Sequence, residues 1–180
     1  MHTVTTKLFA AVVLLAVVSG VGIGSAAASA NHSTSPLIRF TKDSIVADAT
    51  AALTRNREGA SMTLKTSELT PGHTVTVFWV IFNEPDACTH PHGAFRCGPG
   101  DLPPLGGGGS AQPSVLPASD KTIGPESKAT FAGHLEVGDT EGALFGPGLT
   151  EPRGADIHLV VCDGTQFSPS CAIQFAVFEA

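Results

Sequence analysis

The chain has 180 residues, of which 42% are hydrophobic and 14% charged, and its sixteen acidic side chains outnumber its ten basic ones. The basic residues are scattered singly, so the composition argues against a nucleic-acid partner, which requires clustered Lys and Arg. The length suits one domain of common size that buries most of its apolar surface.

The first element is a predicted secretion signal over residues 1–30. Lys7 is followed by the apolar run 8–18, and small residues lead up to Ala30, as at a signal-peptidase site. We expect cleavage after Ala30, which leaves residues 31–180 as one secreted or cell-envelope domain without a membrane span. An uncleaved anchor is the alternative, since about 20 apolar residues span a bilayer, but the glycines after the run argue against it.

Several later segments alternate apolar and polar residues with a period of two, as strands with one buried face do. The second half of His73–Asn83 is apolar on both faces, so this strand should pass through the middle of the fold. The turn Thr70-Pro71-Gly72 precedes it, and alternation over residues 60–65 lies upstream. The two runs therefore predict a β-hairpin.

Further strands are predicted over residues 114–123, 128–137, 157–161 and 173–177, with one or two less regular ones over 37–49. Seven to nine short strands without a convincing helix predict an all-β fold. Its expected architecture is a two-layer antiparallel β-sandwich, immunoglobulin-like or jelly-roll-like.

Four cysteines in an exported chain predict two disulfides. Three pairings are possible, and we favour Cys88–Cys97 with Cys162–Cys171, because each pair brackets a short polar or Gly/Pro/Ser-rich segment. Closing loops of this length contributes about 2–3 kcal/mol in the chain-entropy model. Ligation of a metal by the cysteines would need the closer C-x2–4-C spacing.

Two long Gly/Pro-rich segments, Glu84–Pro113 and Gly138–Gly154, are the expected loops. A loop of about 30 residues is unusual in a compact domain and is often functional. Because rigid β-scaffolds commonly display function on their loops, we predict that these two form the binding surface.

The segment 69–83 (LTPGHTVTVFWVIFN) resembles the signature of a group of exported, uncharacterised bacterial β-sandwich proteins. The likeness continues with Cys88, the loop Leu144–Leu149 (LFGPGL) and the strand Gly154–Val161 (GADIHLVV). It covers most of residues 60–180 and implies the fold without a mechanism. The chain departs from the pattern after Val161, where a short disulfide-bounded loop replaces a longer segment.

Histidines supply the clearest hint of chemistry. His90 and His92 form an H-x-H pair inside the first disulfide loop, and in an extended segment such a pair shares one face. With Asp86 or Asp101 they could hold Zn²⁺ or Cu²⁺, since neutral imidazole suits both ions. The alternative is two solvated loop histidines. His158, between apolar neighbours, is predicted to be a hydrogen-bonded packing residue.

Catalytic motifs of the G-x-S-x-G, H-E-x-x-H, Walker and G-x-G-x-x-G types do not occur. The chain has no Tyr, and its one tryptophan, Trp79, lies in the most apolar strand, which disfavours an aromatic sugar-binding platform. The sequence favours a non-enzymatic binding module for an unidentified extracellular or envelope ligand, without a cofactor. The alternative is a Zn or Cu protein that uses His90 and His92, and an enzyme of unknown type stays open.

Overall fold

The computed structural model describes residues 31–103, 109–168 and 170–180. The predicted signal over residues 1–30 and most of the glycine run at 106–109 lie outside the described residues. Eight strands are present in the described part, in chain order: β1 Asn31–Arg39, β2 Ser44–Arg55, β3 Gly59–Thr66, β4 Thr74–Phe82, β5 Pro113–Thr122, β6 Ala129–Glu136, β7 Asp156–Asp163 and β8 Ala172–Phe178. Single 3-10 turns at Pro85–Ala87 and Pro99–Asp101 interrupt the long loop after β4.

The strands form one antiparallel sheet in the order β5-β4-β7-β8-β1-β2-β3-β6. The two end strands approach each other: Nζ of Lys121 donates to the carbonyl oxygen of Thr130 at 2.8 Å. A β-carbon placed on Gly133 would lie 3.1 Å from the carbonyl oxygen of Ala118. The sheet is therefore rolled into a nearly closed barrel, and the all-β prediction is confirmed.

Alternation along β4 produces two apolar cores. Its inward side chains, Val75, Val77, Trp79 and Ile81, join the interior core of the rolled sheet. Its outward side chains Phe78, Val80 and Phe82 join a second cluster on the opposite face. The second cluster also takes Val160 from β7 and Phe175 and Val177 from β8. We call it the outer core, and it explains why β4 and β7 are apolar on both faces.

The predicted hairpin between β3 and β4 is wrong. β3 pairs with β2 and β6, whereas β4 pairs with β5 and β7. Residues 67–73 instead run beside the connection from β5 to β6, with the amide of Gly72 bonded to the carbonyl oxygen of Ile123 at 2.8 Å. Alternation indicates which face of a strand is buried, but it does not select the neighbouring strand.

The local disulfide pairing is confirmed: Cys88 is bonded to Cys97 and Cys162 to Cys171, with Cα–Cα distances of 5.3 and 4.7 Å. The second bridge closes the hairpin of β7 and β8, as predicted. Both bridges adjoin the outer core. No helix in residues 31–103, 109–168 or 170–180 is long and apolar enough to cross a membrane.

Candidate functional site

Asp101, one of the predicted metal ligands, organises the first disulfide loop. Its buried carboxylate accepts backbone N–H bonds from Thr89, His90 and Gly98 at 2.8, 3.1 and 3.1 Å. It also lies 3.2 Å from Nδ1 of the exposed His90. Burial alone would raise the pKa of Asp101, but these hydrogen bonds outweigh it and lower the pKa below its ordinary value of 3.8.

Asp86 is engaged elsewhere. Its exposed carboxylate pairs with Nη1 of Arg96 at 2.7 Å. The same guanidinium donates to both oxygens of the buried Asp156, at 2.8 and 3.2 Å. Of the four predicted ligands the structure brings together His90 and Asp101 only, and in the described part of the chain no three His, Cys, Asp or Glu side chains converge as a metal site would require.

His92 turns toward the outer core. Its ring stacks on Phe40 with centroids 5.4 Å apart and meets the edge of Phe175 at 5.3 Å. Nε2 of His92 is buried and has no hydrogen-bond partner. Oδ1 of Asp43 lies 3.9 Å from it, which is beyond hydrogen-bonding distance. His90 and His92 therefore have different surroundings, although they are two residues apart.

His158 lies on the outward face of β7, between Val80 of β4 and Val177 of β8. It is 7% exposed and meets the ring of Phe82 edge-on at 5.2 Å. Its Nε2 is also buried without a hydrogen-bond partner. Burial lowers the pKa of His158 to about 4, so the ring is neutral at pH 7. The expected packing role is found, but the expected hydrogen bond is not.

The two imidazoles line the same cavity, which measures about 50 Å³. Its floor is the outer face of the sheet, with Val80, Val160 and Phe175. Its cover comes from both disulfide regions: Pro99 follows Cys97, and Phe167 lies between Cys162 and Cys171. We call this space the histidine cavity. It is an apolar site outside the interior core, and two imidazoles line it.

The two predicted binding loops have different roles. Residues of Glu84–Pro113 cover the histidine cavity, whereas none from Gly138–Gly154 lines it. The second loop is fixed by the buried Asn83, whose Nδ2 donates to the carbonyl oxygen of Gly148 at 2.9 Å and whose Oδ1 accepts the amide of Thr150 at 2.9 Å. The second loop is therefore anchored at the end of β4.

Other histidine contacts lie at the surface. Nδ1 of His73 meets the carboxylate of Asp163 at 2.9 Å, and Nδ1 of His134 meets the hydroxyl of Ser61 at 2.8 Å. A catalytic triad needs a nucleophile, a base and a carboxylate in contact. Among the described residues, no nucleophile joins His73 and Asp163, and no carboxylate joins Ser61 and His134.

Sequence reasoning missed the joint placement of His92 and His158, which lie 66 positions apart in the printed sequence. A signal was present, because an outward strand face made of Phe, Val and His needs a cover, and the adjacent disulfide loop could supply one. The chain offered no means of telling which loop histidine would meet His158.

Comparisons of the chain with family models, with curated proteins and with solved structures found no match.

Proposed function

We propose that this is an exported, non-enzymatic binding protein and that the histidine cavity is its binding site. The observation that carries the proposal is an apolar cavity built outside the interior core and covered by two separately cross-linked loops. Ligand sites are typically concave and mostly apolar with a few polar groups, and a cavity lined by phenylalanines, valines and two imidazoles has this character.

Export is supported by the two disulfides, which form and persist in oxidising compartments. The hydrophobic leader ending at Ala30 points the same way. We therefore place the mature protein outside the cell or in its envelope, as a member of the exported bacterial group that residues 69–83 resemble. N-terminal sequencing of the exported protein should begin at Asn31, and an uncleaved Met1 would contradict the leader.

At the finer level of architecture, we propose that the rolled sheet is flattened into a two-layer sandwich. In support, inward residues from both halves of the sheet, such as Leu53 and Trp79, share one core. An experimental structure should place the two layers about 10 Å apart, and a round cross-section would refute this architecture.

Binding is tested with toluene, an apolar probe of the cavity, by NMR titration. We expect shifts at Val160 and Phe175 and a dissociation constant in the millimolar range, as for other ligands of few atoms. The variant Ala172→Leu places a larger side chain in the cavity wall and should weaken binding at least tenfold. Ala132→Leu on the exposed face of β6 is the matched control and should leave it unchanged. Toluene that perturbs no cavity residue at its solubility limit would refute the proposed function.

A further inference from the structure

The walls of the histidine cavity restrict the body of the ligand. They are aromatic and aliphatic: Phe40, Phe82, Phe167 and Phe175 with Val80 and Val160. An engineered protein cavity of roughly 150 Å³ holds benzene, and this cavity is about 50 Å³. It therefore takes a few heavy atoms of an apolar group, and the remainder of a larger ligand would extend through the mouth.

The unpartnered polar atoms of the residues lining the cavity indicate which polar group a ligand would carry. Three buried side-chain polar atoms in the described residues lack a hydrogen-bond partner, and two of them, Nε2 of His92 and Nε2 of His158, belong to residues that line this cavity. Each such atom costs about 1–3 kcal/mol relative to a paired one. His158 is more than nine-tenths buried and lines the cavity, so its Nε2 can gain a partner only when the side chains around it shift and admit a group that enters the cavity.

The charges nearby exclude an ionic ligand. Neither imidazole needs a counter-ion when neutral, and the apolar walls would desolvate an ion without compensation. The carboxylates that face the two histidines are already used or solvent-exposed: Asp156 is paired with Arg96, Asp101 accepts backbone amides, and Asp43 is solvent-exposed. A neutral imidazole offers one donor and one acceptor, which complements a hydroxyl group.

We propose that the histidine cavity binds the hydroxyl-bearing end of an uncharged alcohol or phenol. The few heavy atoms next to the hydroxyl lie against the phenylalanines, the remainder extends through the mouth, and the hydroxyl is hydrogen-bonded to Nε2 of His92 or His158. This inference rests on the proposed binding function and specifies the class of ligand. It assigns a role to His158, which the sequence marks only as a packing residue.

The test compares phenol with toluene, which has nearly the same shape but carries a methyl group in place of the hydroxyl. We expect phenol to bind the wild-type protein at least tenfold more tightly than toluene. In His158→Leu and His92→Phe the preference should fall, and in the double variant it should approach one. His134→Leu removes an exposed histidine bonded to Ser61 and is the matched control, which should keep the full preference.

A direct measurement avoids dependence on variants that fold poorly. Long-range ¹H–¹⁵N spectra of the wild-type protein should show Nε2 of His92 or His158 shifting on addition of phenol and not of toluene. Equal affinity for both probes, or phenol binding without a shift at either nitrogen, would overturn the ligand class and leave the binding function standing. If neither probe binds, the binding function fails as well. If Zn²⁺ or Cu²⁺ at stoichiometric amounts shifts both nitrogens while phenol does not, the site is a metal site and the proposal is wrong.

Discussion

His158 is a buried imidazole that the fold keeps neutral. It is surrounded by Val80, Val177 and the edge of Phe82, and the described residues offer its Nε2 no hydrogen bond. Burial lowers the pKa of His158 from 6.5 to about 4. Between about pH 4 and pH 6.5 the unfolded chain therefore binds a proton at His158 that the folded chain does not bind.

The first prediction concerns stability in acid. Below about pH 6.5 His158 becomes protonated in the unfolded chain, whereas in the folded chain it stays neutral down to about pH 4. The free energy of unfolding therefore decreases as the pH is lowered through this window. The loss should be about 3 kcal/mol. In His158→Leu this contribution to the loss should vanish. At neutral pH the variant should be as stable as the wild type or more so, because it removes an unpaired polar atom.

Urea unfolding at several pH values between neutral and about pH 4 measures this difference. His134→Leu, at an exposed histidine, is the control and should follow the wild-type curve. Parallel curves for the wild type and His158→Leu would show that the imidazole is not kept neutral by the fold.

Individual residues were predictable where one local rule governed them. Trp79 was expected in the core and lies there at 1% exposure, because its neighbours already define an apolar strand. His92 was not predictable: its stacking on Phe40 joins the first disulfide loop to the end of β1, and no local pattern specifies so distant a contact. The same holds for the carboxylate of Asp101: the sequence marks it as a candidate metal ligand, and no local pattern indicates that it accepts backbone amides of the disulfide loop.

At the scale of elements, the segment 138–154 shows how glycines shape an ordered loop. Gly148 has a φ of +77°, and a β-carbon there would lie 2.2 Å from the carbonyl oxygen of Asp139. Gly138 has nearly the same φ, +78°, with no heavy atom within 4 Å of the corresponding position. Substituting the two glycines therefore distinguishes the cost of backbone strain, which both positions share, from the cost of steric overlap, which only Gly148 has.

The second prediction uses this pair. Gly138→Ala should cost about 1–2 kcal/mol, the usual penalty for an L-residue with left-handed backbone angles. Gly148→Ala should cost that amount and about 1–3 kcal/mol more, because the backbone must move to relieve the overlap. Chemical denaturation of both variants measures the difference. Equal losses would mean that the loop is not packed against Asp139 as described.

The positions of the strands along the chain were easier to predict than the strands with which each one pairs. The strand 114–123 was expected despite Pro117, and the structure accommodates this residue at a register shift between β4 and β5. The predicted turn at Thr70-Pro71-Gly72 is present, with the amide of His73 bonded to the carbonyl oxygen of Thr70 at 3.2 Å. The β3–β4 hairpin is nevertheless wrong, because residues 67–73 cross the end of the sheet and the two strands pair with other partners. Strand order in a rolled sheet depends on contacts between distant segments, which alternation in one sequence does not encode.

At the scale of the whole molecule, one end of the rolled sheet is closed by a charged side chain. Arg55 lies at the end of β2, yet its Nη1 donates to the carbonyl oxygen of Ala155 at 2.8 Å and its Nη2 to that of Phe178 at 2.9 Å. Ala155 immediately precedes β7 and Phe178 ends β8, and neither of these strands pairs with β2. Burial lowers the pKa of Arg55 while Asp156 raises it, and the guanidinium stays charged.

The third prediction follows from this position. Arg55 is 4% exposed, so Arg55→Met keeps most of the apolar stem and leaves buried carbonyl groups without donors. We expect a loss of about 3–5 kcal/mol in the free energy of unfolding, and Arg55→Lys should recover part of it, since one ammonium group cannot reach both carbonyl oxygens equally well. Arg57→Met, at an exposed arginine two residues away, should change stability by less than about 0.5 kcal/mol. Urea unfolding of the three variants decides the matter: if Arg55→Met unfolds within about 1 kcal/mol of the wild type, the guanidinium does not hold this end of the sheet together.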